Sequence, residues 1–308
     1  MSSAILSGML DSYSCQSGQD AINALREIMQ SIALMALSRG GFFNHAAFYG
    51  GTALRMLYGL NRGSEDMDFS LLSADTKFHL SDYASCMKKE FASFGLDATF
   101  AVKLKLERTN IQAGFLKGNT QAQLLCIGLD KALARRIHSR SEMKIKVEVD
   151  VCPPGGFSTE VKYLYQPLPF AVRAYALPDL LAGKLHAVLF RRWGSRVKGR
   201  DWFDLAWYAG RHAEYDLGHL ESRARQFGDY TDDAPLTDER LHQMLVERLA
   251  QVDITALKED VLPFVRDVRS LELWSREFFL DVFSRLHPHR SSLEMGAGGE
   301  RGQRVRRK

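Results

Sequence analysis

Long hydrophobic runs are missing from this sequence, and so are clustered cysteines. Although 45% of the 308 residues are hydrophobic, the longest apolar candidate, Ser31 to Leu37, is far short of the ~20 residues a bilayer-spanning helix needs. The N-terminus has no basic segment followed by an apolar segment and a small-residue cleavage site, so no secretion signal is read. The 4 cysteines, Cys15, Cys86, Cys126 and Cys152, show no CxxC spacing, which excludes a zinc ribbon and a disulfide framework. A reducing cytoplasm is the expected compartment. His287 and His289 lack partners at metal spacing and read as loop residues. Excess charge is scarce too: 41 Lys and Arg against 37 Asp and Glu leave +4, which permits nucleic-acid binding without demanding it. Prolines number only 8, and Pro153-Pro154 followed by Gly155-Gly156 marks the expected boundary between two lobes.

What is present is concentrated between Phe48 and Leu72. An apolar run, Ala46 to Tyr49, meets Gly50 and Gly51, so the chain turns tightly with no Cβ in the way. Thr52 reads as a helix N-cap, with Ala53 to Tyr58 as the first turns. A helix start behind paired glycines offers backbone N–H groups and a positive dipole end, which suit a phosphate. A second strand, Glu65 to Leu72, then carries Asp66 and Asp68 two apart on one face, with Met67, Phe69 and Leu71 on the other. Two fixed carboxylates repel each other unless a cation sits between them, and Mg²⁺ takes such oxygen ligands while keeping room for substrate phosphates. A phosphate cradle beside a two-carboxylate metal site is the apparatus of phosphoryl or nucleotidyl transfer.

Along the rest of the chain, residues 1–17 read as a flexible N-terminus. Asp20 to Arg39 reads as a helix with Ile22, Leu25, Ile28, Met29, Ile32 and Met35 on one stripe. Ser81 to Phe94 is a second helix, Thr99 to Leu106 a strand, and Asn110 to Leu116 its hairpin partner. Gln121 to Ile137 stays open between helix and strand, with Gly128 interrupting it. Met143 to Cys152 alternates cleanly: Ile145, Val147, Val149 and Val151 point one way and Lys144, Lys146, Glu148 and Asp150 the other. Ala171 to Leu177 is a last strand or a linker, and Pro178 opens a helix from Asp179 to Arg192 that carries Lys184. After a basic loop, Arg200-Asp201-Trp202-Phe203-Asp204-Leu205 starts another helix, and helices follow to Leu286. Arg301, Arg304, Arg306, Arg307 and Lys308 crowd a basic tail, residues 291–308, behind the glycines at Gly296 to Gly299.

GGTALR followed by SEDMDFSL resembles the nucleotidyltransferase-fold toxins of the AbiEii family, the toxin half of abortive-infection toxin–antitoxin pairs. KLHAVLFRRWGSRVKGRDWFDL, from Lys184 to Leu205, resembles the family's later motifs, a helix lysine followed by an RD-aromatic-D run. The two stretches cover a modest part of the chain, in the family's order. The resemblance implies that Lys184 contacts nucleotide phosphates and that Asp201 serves as a base or orienting acid, Asp204 being the alternative. It also implies a cognate antitoxin, and some relatives act on the 3′ end of tRNA. Nucleotidyltransferases often carry a third acid on a strand such as Met143 to Cys152. Glu148 is the first choice and Asp150 the second, completing a cluster able to hold one or two Mg²⁺ ions.

The expected fold is therefore α+β: a nucleotidyltransferase-like mixed-sheet lobe with flanking helices over residues 18–152, then a linker and mainly helical lobe over 153–290. Asp66, Asp68 and Glu148 are expected to hold metal, and Gly50, Gly51, Thr52 and Ser64 to line the phosphate pocket. Arg55 either faces phosphate or holds the loop. The expected activity is Mg²⁺-dependent transfer of a nucleoside monophosphate from an NTP to an acceptor, the 3′ end of tRNA. Two rival readings are an enzyme of this fold acting on a protein or small-molecule hydroxyl, and a non-catalytic nucleotide- or RNA-binding module. A set of mutually repelling carboxylates argues against the last, since a pure binder has no need of them.

Overall fold

The alternation of the fifth strand decides the middle of the molecule: Met143, Ile145, Val147 and Val149 are all buried on one side of it. The computed structural model describes residues 2–103, 110–191 and 198–289. Two compact units emerge, Met1–Ala176 with Val261–Val268, and Leu177–Asp260 with the described residues from Arg269 onward.

The first unit is built on a seven-stranded sheet in the order β3-β4-β5-β2-β1-β7-β6. The strands are β1 (Ala46–Tyr49), β2 (Met67–Leu71), β3 (Thr99–Lys103), β4 (Ile111–Asn119), β5 (Glu142–Asp150), β6 (Thr159–Leu164) and β7 (Phe170–Tyr175). β2 runs parallel to β5 and β1 to β7, while the other neighbours are antiparallel. The sheet is mixed, as expected, but it does not stop at Cys152. β6 and β7 follow Pro153–Gly156, so that break is a turn within the first unit, and the unit boundary falls after Ala176. β6 escapes sequence inspection because it is an edge strand whose residues are all exposed or half-buried, leaving no buried face to read.

Among the described residues, six α-helices belong to this unit: α1 (Ser2–Asp11), α2 (Gly18–Arg39), α3 (Gly50–Tyr58), α4 (Ala84–Ser93), α5 (Thr120–Cys126) and α6 (Lys131–Ala134). The N-terminus is not a flexible lead. α1 buries Leu6, Met9 and Leu10 in the main core. α2 opens with a capping box, Ser17 and Asp20 satisfying each other's backbone N–H groups. It departs from the expected single stripe, since every residue from Ile28 to Leu37 is buried. A helix buried all round is enclosed by other elements, and here α1, α4, α5, β5 and β7 all contact α2. Gln121 to Ile137 resolves as two short helices separated at Gly128, whose φ of +96° ends the first.

The second unit holds α7 (Leu177–Phe190), α8 (Gly199–Ala209), α9 (Leu217–Gln226), α10 (Asp238–Ala250) and α12 (Arg276–Ser284), with α11 (Ile254–Val261) ending at its edge. Its core is aromatic: Phe279 lies edge-on to Trp202 at 5.0 Å and to Trp274 at 5.1 Å. His287 is not in a loop but pairs with Glu214 in a small parallel bridge of two short strands. No helix among the described residues is long and apolar enough to cross a membrane. Leu104 to Leu106, most of the basic loop after Arg192 and the tail 291–308 lie outside the described residues.

Candidate active site

Gly50 carries the chain from β1 straight into α3 at φ +81°, a conformation that costs an L-residue about 1–2 kcal/mol. The helix therefore begins at Gly50 and is capped by Tyr49, whose side chain makes no capping bond. Thr52 is not the N-cap. Its buried hydroxyl donates to the Asp66 carbonyl and stands 2.8 Å from Ser64 Oγ, so only its backbone N–H remains to meet a phosphate.

The second reason for glycine is proximity. A Cβ added at Gly50 would lie 2.7 Å from Asp68 Oδ2, so the turn and the carboxylate pack directly on each other. A Cβ at Gly51 would lie 3.0 Å from Arg62 Nη2 and 3.1 Å from Ser64 Oγ. Gly50→Ala is accordingly expected to lower stability by about 1–2 kcal/mol and to weaken NTP binding beyond that loss. Gly51→Ala, which has no left-handed φ and meets only side-chain ends, is expected to be milder in both urea unfolding and calorimetric NTP titration.

The acids sit across two strands. β2 begins at Met67, so Asp66 lies in the extended segment just ahead of it, while Asp68 is within it. Parallel pairing puts Asp68 opposite Glu148 and Ser70 opposite Asp150. Glu148 is therefore the β5 carboxylate in register with Asp68. Asp150 is buried, and its Oδ1 accepts the Cys152 N–H at 3.0 Å, closing the strand end. Glu148 is itself engaged, its Oε1 2.7 Å from Lys146 Nζ. Among the described residues no three His, Cys, Asp or Glu side chains stand together as a ready metal cage. The donor set is nonetheless oxygen-only and suits a hard divalent ion bound through two carboxylates.

Gln30 and Arg62, which sequence inspection missed, hold this frame together with Arg55. Gln30, fully buried on α2, donates from Nε2 to the carbonyls of Ser64 at 3.3 Å and Glu65 at 3.0 Å. Arg55 makes a two-pronged ion pair with Glu27, at 2.9 and 3.2 Å, and donates to the Leu60 carbonyl at 2.9 Å. Those are the contacts of a residue that holds the loop. Buried Arg62 donates to the Gly63 carbonyl at 2.9 Å. The distant segment Val261–Val268 is laid against the same loop: Arg62 bridges Val265, and Gly63 N–H donates to Phe264 O at 2.8 Å. A cleft of about 890 Å³ opens beside Ser64 and Glu65, with Arg26, Arg62 and Arg266 in its wall. The Tyr13 phenol in that wall is held protonated by burial and by the neighbouring Glu27 carboxylate.

In the second unit, α7 presents Lys184 to two acids one helical turn apart on α8. Its ammonium is 2.8 Å from Asp201 Oδ1 and 2.7 Å from Asp204 Oδ2. Asp204 is fully buried, and Arg191 approaches Asp201 at 3.8 Å. Asp201 and Asp204, alternatives in the sequence, thus hold one lysine together.

The model of the nucleotidyl transferase AbiEii toxin family, type IV toxin–antitoxin system, matches residues 32–282, a span that takes in the glycine turn, both aspartates, Glu148, Lys184 and Asp201. No curated protein matches the chain. The crystal structure of JHP933 from Helicobacter pylori aligns with a TM-score of 0.48 at 18% identity, over 85% of this chain and 89% of that one. The crystal structure of a putative nucleotidyltransferase from H. pylori aligns with a TM-score of 0.46 at 18% identity, over 84% of this chain and 91% of that one. With more than half of its length matched by the family, this chain belongs to the AbiEii toxins, NTP-using nucleotidyltransferases of type IV toxin–antitoxin systems.

Proposed function

We propose that this toxin transfers a nucleoside monophosphate from an NTP to the 3′ end of tRNA in the cytoplasm, with Mg²⁺, under restraint by a cognate antitoxin. The observation that carries the reading is the packing of Gly50 on Asp68, which sets a helix start with no side-chain cap against a carboxylate. The N–H groups of Gly50, Gly51 and Thr52 receive phosphate oxygens, and the Ser64 hydroxyl borders them. Asp66, Asp68 and Glu148 hold the metal. Bound there, Mg²⁺ supplies charge neutralisation to the triphosphate.

The terminal ribose hydroxyl attacks the α-phosphorus. The new O–P bond forms as the bond from that phosphorus to the bridging oxygen breaks, and pyrophosphate leaves with the electron pair. Asp201 takes the hydroxyl proton, and Asp204 with Lys184 holds that carboxylate in place. Lys184 also lends positive charge to the phosphates.

Incubation of the purified protein with Mg²⁺, total tRNA and each α-labelled NTP in turn tests this. Label on tRNA that an Asp66→Ala/Asp68→Ala variant cannot place is the expected result. Label on protein or on nothing, from a folded protein that binds NTP, overturns the tRNA acceptor.

A further inference from the structure

β6 ends the sheet, and its outer side is uncovered among the described residues. Ala176 N–H donates to Ser158 O at 3.1 Å, so with the β6–β7 register the hydrogen-bonded pairs fall at Glu160, Lys162 and Leu164. Antiparallel pairs alternate. The backbone N–H and C=O groups of Thr159, Val161 and Tyr163 therefore point away from β7. The same three residues carry exposed side chains, and with Tyr165 they form an apolar strip: Val161 is 52% exposed, Tyr163 65% and Tyr165 73%.

Sheet edges are normally blunted by a bulge, a proline or an outward lysine. This one has none of these. Its register with β7 is unbroken over six residues. Its lysine, Lys162, is folded back onto the sheet, 2.8 Å from Glu160 Oε2 and 4.9 Å from the Tyr58 ring centroid.

We propose that this edge pairs with the same edge of a second copy of the chain, antiparallel about a dyad at Val161. The charges choose that register. With the dyad at Val161, Glu160 faces Lys162 of the second copy and Lys162 faces its Glu160, extending the ion pair already present in each strand. Val161 meets its own counterpart, Thr159 meets Tyr163, and the three outward residues exchange hydrogen bonds reciprocally. A dyad one residue on sets Lys162 against Lys162 and leaves Glu160 opposite Leu164. A dyad at Tyr163 leaves Glu160 opposite Gln166 and Lys162 opposite Leu164, with both charges unmatched. Such a two-fold contact is self-complementary, as closed dimers require, and it joins two sheets into one.

Sedimentation velocity on the full chain across about 1–200 μM tests the proposal, a range chosen because an edge contact is small and concentration-dependent. The expected result is a monomer–dimer equilibrium that Val161→Lys, which sets like charges at the dyad, weakens at least about tenfold. Glu160→Lys alone is expected to weaken it as well. Glu160→Lys/Lys162→Glu, which exchanges the charges and keeps their alternation, is expected to recover it, an outcome that general loss of structure cannot produce. A protein monomeric at every concentration overturns the proposal, as does a dimer indifferent to Val161→Lys. An antitoxin that binds the wild-type monomer and not the Val161→Lys variant would then identify the strand that covers this edge.

Discussion

Asp68→Asn is expected to reduce nucleotidyl transfer by about three orders of magnitude, the scale lost when one preorganised electrostatic group is removed, and to abolish stabilisation by Mg²⁺. Asp68 lies between Asp66 along the chain and Glu148 across the strand pair, so a divalent ion held there draws on its charge. Asparagine keeps the shape that fits against Gly50 and removes that charge. Thermal melts in EDTA and in Mg²⁺ separate the effects: wild type is expected to gain stability on adding Mg²⁺, by mass action on the folded state, and Asp68→Asn is not. Activity within tenfold of wild type, or an unchanged Mg²⁺ response, would remove Asp68 from the site.

The second large effect is on stability. Lys184→Met is expected to cost about 3–5 kcal/mol, because it leaves two buried carboxylates without the ammonium that faces them. Asp204 has no exposed surface, and the Asp201 side chain is 7% exposed, so water cannot take the lysine's place. Arg191, 3.8 Å from Asp201, offsets part of the loss and should keep it toward the lower end. All four tryptophans fall after Ala176, so tryptophan fluorescence during urea unfolding reports the unit concerned. Lys184→Met/Asp201→Asn/Asp204→Asn, which removes the stranded charges together, is expected to regain most of the loss. If Lys184→Met instead unfolds with wild type and only raises KM for NTP, the lysine serves the phosphates and the aspartates do not depend on it.

Several features that matter here are local, and locality made them legible. A left-handed turn needs glycine wherever it occurs, so Gly50 announces itself. Side chains two apart on a strand share a face, so Asp66 with Asp68, and Glu148 with Lys146, are paired by parity alone. The same period marks the buried face of β5. The order of the GGT turn, the aspartates, the later lysine and the RD-aromatic-D run was enough to indicate the AbiEii family and the α+β class before any coordinates.

Other features depend on partners far away in the chain. Parity cannot say which strand lies beside β2 or in what register, and only the β2–β5 pairing sets Glu148, rather than Asp150, opposite Asp68. β6 has one half-buried and one exposed face, so its sequence carries no alternation between core and solvent. α1 looks like a polar lead because what buries Leu6, Met9 and Leu10 is a core built by later elements. The ten consecutive buried residues of α2, the Gln30 bonds to the Ser64–Glu65 loop and the return of Val261–Val268 to Arg62 follow the same logic. By itself, the sequence determined the turn, the faces of the strands, the candidate acids and the family, because each rests on backbone geometry or residue order within a few turns. Only the tertiary structure decided which carboxylate stands beside Asp68, what Lys184 holds and which edge of the sheet is left open, because burial and register are properties of the assembled sheet and core.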